Sequence, residues 1–565
     1  MHYKLDNVQN YFKLPIEYND KKMLVSENIK NDLELHNAKD NNSIYNSLFI
    51  NNNKYAINTV DLWSNYYTYD KSFIKDTQKL LKSDISYNIQ NLQCWDQIKG
   101  ENEFNDKYSY INNHYLKFLN NSSLFLQILC LYKFISPIFA LLYPIFVAIV
   151  PYFFLKLSPL KISLSQYLAF VKIYIMNSSI VKLFTTFSIH NWRNTVYLLF
   201  SVIMYFVSLY QNIVSCIHFH YNMKNINGYI LELTEYIKNG IKNMNNFSTT
   251  CHNLKTYKPF LNNMTQHKRI LFERLKTFEN ITNYSWNFHN LSHMGYSMKV
   301  LYHIYYDTDF HNAMMYSFGF NGFILNLNDI QSNIKSSHIN LVKFSKTTKF
   351  KEAYYPIFKN KKHVKNNYSI SNNLIISGPN ASGKTTLIKT TLFNILISQQ
   401  IGCGFYKSGN IRNYKYIHSY LNIPDTSDRD SLFQAEARRC REIISTLKHD
   451  EKEYHFCIFD ELYSGTNPYE ANASAYAFIK YLLKHKIDFM LTTHFVELCN
   501  NLEETKHIKN TQMEIINNND DIKYLYKLVN GISKHRGGVK VLKQLDYPVE
   551  IINETIKYLN KNHSI

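Results

Sequence analysis

The sequence is poor in cysteine, and the way its few cysteines are spaced excludes several classes of protein. Eight cysteines are scattered over 565 residues, and no two stand at the CxxC spacing of zinc-binding motifs. This argues against a zinc site and a dense disulfide framework, and it favours a reducing compartment. The amino terminus also lacks the basic-then-apolar pattern of a secretory signal, so we expect the chain to begin in the cytosol.

Acidic residues are scarce relative to basic ones. The 44 Asp and Glu stand against 63 Lys and Arg, which gives a formal net charge of +19. Such an excess favours an anionic partner, whether nucleic acid, nucleotide or lipid headgroups. Much of the background is Asn, Lys, Ile and Tyr, which a coding bias toward A and T would produce equally well. The charge therefore does not choose among these partners.

Glycine is rare in the first part of the chain and concentrated in the last, since nine of the 15 glycines follow residue 346. Glycine is favoured where the backbone takes positive φ or approaches a ligand closely, so we expect the chemistry there. The length predicts three or four domains. Residues 1–120 form a polar, Asn-rich region, whereas 223–345 have the apolar spacing of long packing or lever helices.

Two long runs without charge lie between those regions, in residues 121–222. One lies between Lys133 and Lys156, and the other between Arg193 and Lys224. Each is long enough to cross a bilayer as a helix, and the segment between them has the pattern of an amphipathic helix on a surface. We therefore predict a transmembrane helical hairpin with an amphipathic loop, and a membrane as a partner. A pair of buried core helices is the alternative.

The charges conflict with a simple hairpin topology. Two crossings leave both ends of the chain on the cytosolic side, so the basic residues between the runs fall on the far side, against the positive-inside tendency. A loop held at the interface, or a re-entrant pair, would relieve this conflict. The basic residues concerned are Lys156, Lys161, Lys172, Lys182 and Arg193.

A phosphate-binding motif follows the apolar, strand-like run NLIIS. It reads GPNASGKTT over residues 378–386 and fits GxxxxGK[ST] between a strand and a helix. Backbone N–H groups of such a loop point at phosphates, and the helix expected to begin near Lys384 adds its positive dipole end. Lys384 would reach the β and γ phosphates, and Thr385 would ligate Mg²⁺. The predicted nucleotide-binding residues are Gly378, Pro379, Asn380, Ala381, Ser382, Gly383, Lys384, Thr385 and Thr386.

Two further apolar runs end in polar residues suited to ATP hydrolysis. One ends in Asp460 and Glu461. Asp460 would hold Mg²⁺ through water, and Glu461 would orient and deprotonate the attacking water. The other ends in Thr492, Thr493 and His494, where the histidine would contact the γ-phosphate. Their order after the phosphate-binding motif is what indicates an ATPase.

A helical pattern between the first two motifs begins near Ser431. Its hydroxyl and the free N–H groups of a helix start would form an anion site. Capping of the helix by Ser431, with Gln434 three residues on, explains the same residues. The two roles are compatible.

These motifs, in this order, resemble an ATPase of the ABC type and, in detail, the MutS family of DNA mismatch-repair proteins. The loop 378–386 is similar to that family's GPN-x-x-GK-[ST]-T. The stretch DELYSGTNPYEANASAYA resembles its DE-L-x-x-GT segment with a later acidic residue, here Glu470. SLFQAE, from Ser431, resembles the family's S-x-F-x-x-E helix. YYPIF, QIGCGF and the closing stretch from YKLVNGIS to DYPVEII resemble further segments of the family.

The resemblance implies an α/β P-loop NTPase domain of the ABC, MutS-like type over 346–565, with a carboxyl-terminal helical dimerisation tail. It implies a homodimer with two ATP sites, each completed by Ser431 of the other chain, and ATP and Mg²⁺ as cofactors. The catalytic residues would be Glu461, His494 and Lys384, and the metal ligands Thr385 and Asp460. Such a protein would bind mismatched or branched DNA as an ATP-dependent DNA damage sensor and would meet other repair or recombination proteins.

The front of the chain departs from the family's pattern. Mismatch readers of this family insert an aromatic wedge from an F-x-E motif, and ENEFNDK has those letters in the wrong order. The alternative function is a membrane-anchored ABC-type ATPase motor or scaffold that does not recognise mismatches. We expect membrane association, with the ATPase domain on the cytosolic or nucleoplasmic side. A soluble cytoplasmic or nuclear protein is the alternative localisation.

Overall fold

The computed structural model describes residues 8–35, 43–50, 53–83, 87, 89–157, 163–178, 181–182, 192–281, 292–421, 423, 431–518, 521–533, 539, 542–543 and 545–561. Its α-helices are α1 (Glu27–Asp32), α2 (Lys54–Trp63), α3 (Lys71–Lys82), α4 (Cys94–Lys99), α5 (Phe104–Lys107), α6 (Ser123–Leu157), α7 (Leu164–Asn177), α8 (Trp192–Thr250), α9 (Lys258–Phe278), α10 (Met294–Tyr306), α11 (Thr308–Lys335), α12 (Lys384–Gln400), α13 (Leu432–His449), α14 (Pro468–Lys484), α15 (Val496–Asn501) and α16 (Val549–Lys561). Its β-strands are β1 (Lys22–Leu24), β2 (Tyr66–Thr68), β3 (Asn340–Phe344), β4 (Lys349–Ala353), β5 (Asn366–Ser369), β6 (Asn373–Ser377), β7 (Cys403–Gly404), β8 (Ser408–Ile411), β9 (Tyr416–Tyr420), β10 (His455–Asp460), β11 (Asp488–Thr493), β12 (Ile508–Asn518) and β13 (Asp521–Asn530).

These elements form two compact units, each assembled from separate stretches of chain. The first contains Ile89–Lys242 and His267–Met314. The second contains Asn7–Asn88, Asn243–Gln266 and Met315–Ile565. Each unit combines stretches from more than one of the four consecutive regions expected from sequence. The bounds of those four regions stay a prediction. The described part of the chain before β3 is mainly helical, as predicted.

A six-stranded sheet organises the second unit. Its order is β13-β12-β6-β11-β10-β9, with every neighbouring pair parallel except β12 with β13. Strands β6, β10 and β11 are buried at nearly every residue, which is why their sequences are continuous apolar runs. Ser377 pairs with Thr493, and Asp460 pairs with Thr492. The carboxyl ends of the three strands therefore meet at one edge.

Smaller sheets and a helical layer complete the second unit. A five-stranded sheet has the order β5-β4-β8-β3-β7, and β1 pairs with β2. Helices α13 and α14 pack on the six-stranded sheet through a cluster that includes Ile443, Phe478, Phe459 and Phe489. The ring of Phe478 meets that of Phe459 edge-on, with centroids 5.5 Å apart. This core holds the strand ends that carry the predicted site.

The amino-terminal stretch is bonded to the end of α12 within the same unit. Gln400 Nε2 donates to the carbonyl oxygens of Trp63, at 2.7 Å, and Tyr66, at 3.0 Å. The hydroxyl of Tyr45 donates to Gln400 Oε1 at 2.9 Å. Gln399 Nε2 donates to the carbonyl oxygen of Thr68 at 3.2 Å. A region with little sequence signal is thus built onto the helix that follows the phosphate-binding loop.

The first unit contains α6 and much of α8, which run side by side. The hydroxyl of Tyr205 donates to the carbonyl oxygen of Ala140 at 3.4 Å, and the rings of Phe134 and Phe219 lie 5.4 Å apart. The two helices are therefore antiparallel. Among the described residues, these two helices are long and apolar enough to cross a membrane, judged by length and composition. Both predicted apolar runs are helical in the structure.

Candidate active site

The three predicted motifs come together at the carboxyl edge of the six-stranded sheet. The phosphate-binding loop leaves β6, the acidic pair closes β10, and His494 follows β11. Ser377 and Asp460 both lie beside β11, paired with successive residues of that strand. Residues separated by more than 100 positions in sequence thus become neighbours because parallel strands align their ends, as the sequence predicted.

Helix α12 begins at Lys384, within the motif 378–386, as predicted. Gly383 takes φ = 93° and an added Cβ would lie 3.1 Å from Cδ1 of Tyr526, so both the backbone and the space favour glycine. Lys384 Nζ donates to the carbonyl oxygens of Gly378, at 2.9 Å, and Pro379, at 3.1 Å. Burial lowers the pKa of Lys384, while the nearby carboxylates of Glu461 and Asp460 oppose the shift. The ammonium group is therefore held inside the loop, where phosphate oxygens would be received.

Oxygen atoms suited to Mg²⁺ lie beside this lysine. The hydroxyl of Thr385 donates to Asp460 Oδ2 at 2.8 Å, and the hydroxyl of Thr492 donates to Asp460 Oδ1. Hydroxyl and carboxylate oxygens are the donors that Mg²⁺ prefers, and one or two protein ligands beside phosphate oxygens are the usual arrangement. Thr385 and Asp460 fit the metal role predicted for them. Asp460 is positioned by hydroxyls from two different elements.

The next acid, Glu461, is paired with the predicted histidine. His494 Nε2 lies 2.6 Å from Glu461 Oε1, 2.8 Å from Asn380 Oδ1 and 3.3 Å from Lys384 Nζ. The hydrogen bond from His494 lowers the pKa of Glu461, and the charge of Lys384 acts in the same direction, against partial burial. Glu461 is therefore a carboxylate at neutral pH. One ring nitrogen cannot donate to two oxygens and also accept from the lysine, so these groups compete for it.

The backbone at Glu461 is in an uncommon conformation. Its φ is 55°, in the left-handed region that non-glycine residues seldom adopt, and its N–H donates to the carbonyl oxygen of Thr492 at 3.1 Å. Such a conformation costs about 1–3 kcal/mol and persists where surrounding contacts fix it. Here it aims the carboxylate at His494 and toward the loop. The strain coincides with the residue predicted to activate water.

A cavity of about 530 Å³ opens beside the loop, all of it within the second unit. It is lined by Asn380–Leu387 and Glu461, together with residues that were not predicted to belong to the site. These include Tyr354, Tyr355 and His363, which precede the loop, and Met513 and Tyr526 from β12 and β13. The rings of Tyr354 and His363 are stacked 4.3 Å apart. Two segments that resemble the MutS family were available signals for this wall: YYPIF contains Tyr354 and Tyr355, and YKLVNGIS begins at Tyr526.

Ser431 caps α13 and is not among the described residues that line the cavity. Its hydroxyl accepts from Gln434 N–H at 3.3 Å, and its own N–H donates to Gln434 Oε1 at 3.0 Å, which is the predicted capping box. The side chain is exposed. Within one chain, Ser431 therefore has a structural role, and its predicted contact with a nucleotide would have to be made in a second chain.

Glu436 of the same helix, for which the sequence predicted no role, connects α13 by hydrogen bonds to the segment after the acidic pair. It is buried, and its carboxylate accepts from Ser464 Oγ at 2.9 Å, Ser464 N at 3.1 Å and Gly465 N at 3.2 Å. An added Cβ on Gly465 would lie 2.8 Å from the backbone nitrogen of Phe433. The start of α13 and the chain after Glu461 are thus held together as one piece.

Comparison with known proteins agrees with this geometry. Residues 374–562 match the family model described as MutS domain V. The chain is 31% identical to MutS protein homolog 4 of Mus musculus over 230 residues, which are 37% of this chain and 23% of that protein. It is 30% identical to DNA mismatch repair protein MutS of Persephonella marina over 216 residues, 37% of this chain and 24% of that protein. It is 26% identical to Endonuclease MutS2 of Lactococcus lactis subsp. cremoris over 213 residues, 37% and 27% of the respective chains.

The matched part spans about a quarter of the length of these curated relatives. The match to the family model begins at the second residue of β6 and takes in the loop, both strand-end motifs and α16. Residues 374–562 of this chain are therefore similar to MutS domain V, and in the structure they have mixed α/β architecture around the phosphate-binding loop.

Proposed function

We propose that the protein is an ATP-dependent switch of the MutS mismatch-repair type, which hydrolyses ATP in a dimer and thereby changes its hold on DNA. The observation that carries this proposal is the meeting of Lys384, Thr385, Asp460, Glu461 and His494 at one edge of the sheet. The similarity of residues 374–562 to MutS domain V supports it. Mismatched or branched DNA is the substrate class that we infer.

In hydrolysis, Lys384 would exchange the carbonyl oxygens of Gly378 and Pro379 for phosphate oxygens of ATP. Mg²⁺, held by Thr385 and Asp460, would neutralise charge on those oxygens. Glu461 would accept a proton from the attacking water, since its pKa is kept low enough for it to be ionised. His494 would then donate to the γ-phosphate in place of Asn380.

The switch itself would come from a second copy of the chain. Ser431 lies exposed at the start of α13, where the free N–H groups of the helix add a favourable field for an anion. In a closed dimer it would contact the partner's nucleotide. ATP would favour the closed form by binding it more tightly than the open one, and hydrolysis would reverse this preference.

The test of the ATPase role compares two variants. Lys384→Ala should abolish nucleotide binding, measured with a fluorescent ATP analogue, because it removes the cation that meets the phosphates. Glu461→Gln should retain binding and lower the hydrolysis rate by about 10²-fold or more, because it removes the base. Lys484→Ala, at an exposed position on α14, serves as the control and should behave as wild type. Normal turnover in either site variant would refute the assignment.

The DNA partner needs its own measurement. We would measure gel shifts with homoduplex, mispaired and branched DNA over a series of increasing salt concentrations. Binding should weaken as salt rises, because contacts to DNA phosphates dominate such affinity. Preference for one of these structures would name the substrate. Absence of binding at low salt would refute the DNA role and leave the ATPase role standing.

A second candidate function is a membrane-anchored ATPase motor or scaffold that does not recognise mismatches, with its ATPase domain on the cytosolic or nucleoplasmic side. The observation that favours it is the series of exposed apolar side chains on α6 and α8. DNA binding and membrane anchoring are separable, so the two candidates can be tested in the same preparation. Other repair or recombination proteins would be partners under the first candidate.

A further inference from the structure

Helices α6 and α8 expose large apolar side chains to a degree that a soluble protein core does not. On α6, Leu141 is 58% exposed and Phe154 is 70% exposed; on α8, Phe200 is 60% exposed and Phe206 is 58% exposed. None of the residues in the most apolar window of α8 is buried. A core helix of a soluble domain would bury most of these side chains. Within one chain, the described residues of α6 and α8 are therefore not buried as those of core helices would be.

The exposed side chains surround the helix pair rather than forming one face. Ile138 and Phe139 are both exposed, and so are Phe153 and Phe154. Successive residues of a helix point about 100° apart, so each such pair faces two directions. A protein partner covers one face and would leave the other in water. An environment that surrounds the helices and is itself apolar, which is to say lipid, matches this distribution.

The charged residues bracket a length that fits a bilayer. The uncharged stretch 134–155 of α6 spans about 33 Å at 1.5 Å per residue, against a hydrocarbon core of about 30 Å. Its ends are Lys133 and Lys156. At the level of Phe134, the thiol of Cys216 on α8 donates to the Phe134 carbonyl oxygen at 3.8 Å. His218 lies two residues further along α8. Polar residues therefore lie at the same level on both helices.

Helix α7 lies at the far end of this pair. It is 14 residues long, about 21 Å, which is too short to cross a bilayer. The rings of Tyr167 on α7 and Tyr152 on α6 are 5.0 Å apart, which fixes α7 beside the last turns of α6. It carries Lys172 among exposed apolar residues such as Phe170. This composition suits the boundary between lipid and water.

We propose that α6 and α8 cross a lipid bilayer as an antiparallel pair between the level of Lys133 and the level of Lys156, with α7 lying along the opposite interface. The proposal rests on the second candidate function and deepens it by giving the span, its limits and its topology. Two crossings return the chain to its original side, so α7 lies across the bilayer from the residues that precede α6 and from those that follow the uncharged stretch of α8. The snorkelling of Lys156 and Lys172 toward headgroups accommodates their charge.

The first test is insertion of the full chain into phosphatidylcholine vesicles, measured by flotation after carbonate washing. Wild type should float. The double variant Ile145→Lys, Ile203→Lys places two charges at mid-depth on exposed positions, so folding is spared while the floating fraction falls at least about tenfold. The matched control, Tyr115→Lys with Phe272→Lys, charges exposed apolar positions outside the span and should float as wild type does.

Three outcomes would overturn the proposal: wild type left in the supernatant, the mid-depth variant floating as well as wild type, or a lipid-free oligomer that covers the apolar surface. ATP hydrolysis is measured in the same samples. Flotation without hydrolysis would refute the ATPase role alone, whereas hydrolysis without flotation would refute the bilayer span alone. The two failures are thus distinguishable.

The second test addresses topology. Ser165→Cys on α7 and Ser445→Cys on α13 each introduce an exposed thiol. In sealed vesicles selected for an outward-facing ATPase domain, a membrane-impermeant maleimide should label the thiol at 445, and should label the thiol at 165 only after detergent. Equal labelling of both thiols in intact vesicles would overturn the crossing.

Discussion

At the scale of single residues, the pKa of Glu461 is lowered mainly by one histidine, His494. The hydrogen bond from His494 is the largest cause that lowers the pKa of this carboxyl below its ordinary value of 4.5. A lowered folded-state pKa contributes stability above the unfolded value, and that contribution is lost as pH falls through the folded value. The same shift keeps the proposed base ionised to lower pH. Under the proposed function, His494 would therefore influence hydrolysis even without touching phosphate.

This dependence gives a prediction in pH. His494→Ala should move the acid limb of the kcat profile to higher pH, because the pKa of Glu461 rises when the hydrogen bond is lost. Lys484→Ala is the control, because this residue is exposed on α14 and is not among the described residues that line the cavity. It should leave the acid limb in place. Coincident acid limbs in wild type and His494→Ala would contradict this account.

The sequence predicted the residues whose motifs end parallel strands. Asp460 and His494 could be assigned because the middles of these buried strands are apolar, so polar residues at or just after their carboxyl ends mark the sheet edge. Tyr526 begins the family-like stretch YKLVNGIS, but its place beside the loop could not be predicted, because it depends on a positive φ of 56° in β13. Glu436 was visible as a motif letter, but its buried bonds to Ser464 were not.

At the scale of elements, the packing of the described residues 43–50 and 53–83 on α12 could not be predicted from the sequence. Their polar composition hides short buried elements, and the contacts are hydrogen bonds between side chains and backbone carbonyls over more than 300 positions. Gln400 uses both ends of its amide there, accepting from Tyr45 and donating to Trp63 and Tyr66. Periodicity does not encode such a contact. One buried amide thus links the helix of the phosphate-binding loop to the amino-terminal stretch.

We predict that Gln400→Ala lowers the free energy of unfolding by about 2–3 kcal/mol, because it removes three buried hydrogen bonds, those with the carbonyl oxygens of Trp63 and Tyr66 and with the hydroxyl of Tyr45. Urea denaturation of the full chain measures this change. Lys480→Ala, at an exposed position on α14, is the control and should stay within about 0.5 kcal/mol of wild type. A Gln400→Ala midpoint equal to that of the control would show that the contact adds no stability.

At the scale of the whole molecule, the proposed dimer makes each ATP site from two chains. The P-loop side would come from one chain and Ser431 from the other, so damage to the two sides can be separated by mixing. Lys384→Ala disables the phosphate-binding loop of the chain that carries it. Ser431→Ala removes the serine hydroxyl that the same chain would contribute to its partner's ATP site. In a mixed dimer both lesions fall on one site, and the other site is intact.

We therefore predict that Lys384→Ala and Ser431→Ala are each defective alone and regain hydrolysis when mixed. With equal amounts and random pairing, the recovered rate should be about a quarter of wild type, since half of the dimers are mixed and each holds one intact site of two. A mixture of Lys384→Ala with Glu461→Gln is the control: both lesions lie on the P-loop side, so each site of a mixed dimer carries one lesion and no rate returns. If the first mixture is as inactive as the control, Ser431 serves its own chain and the composite site is wrong.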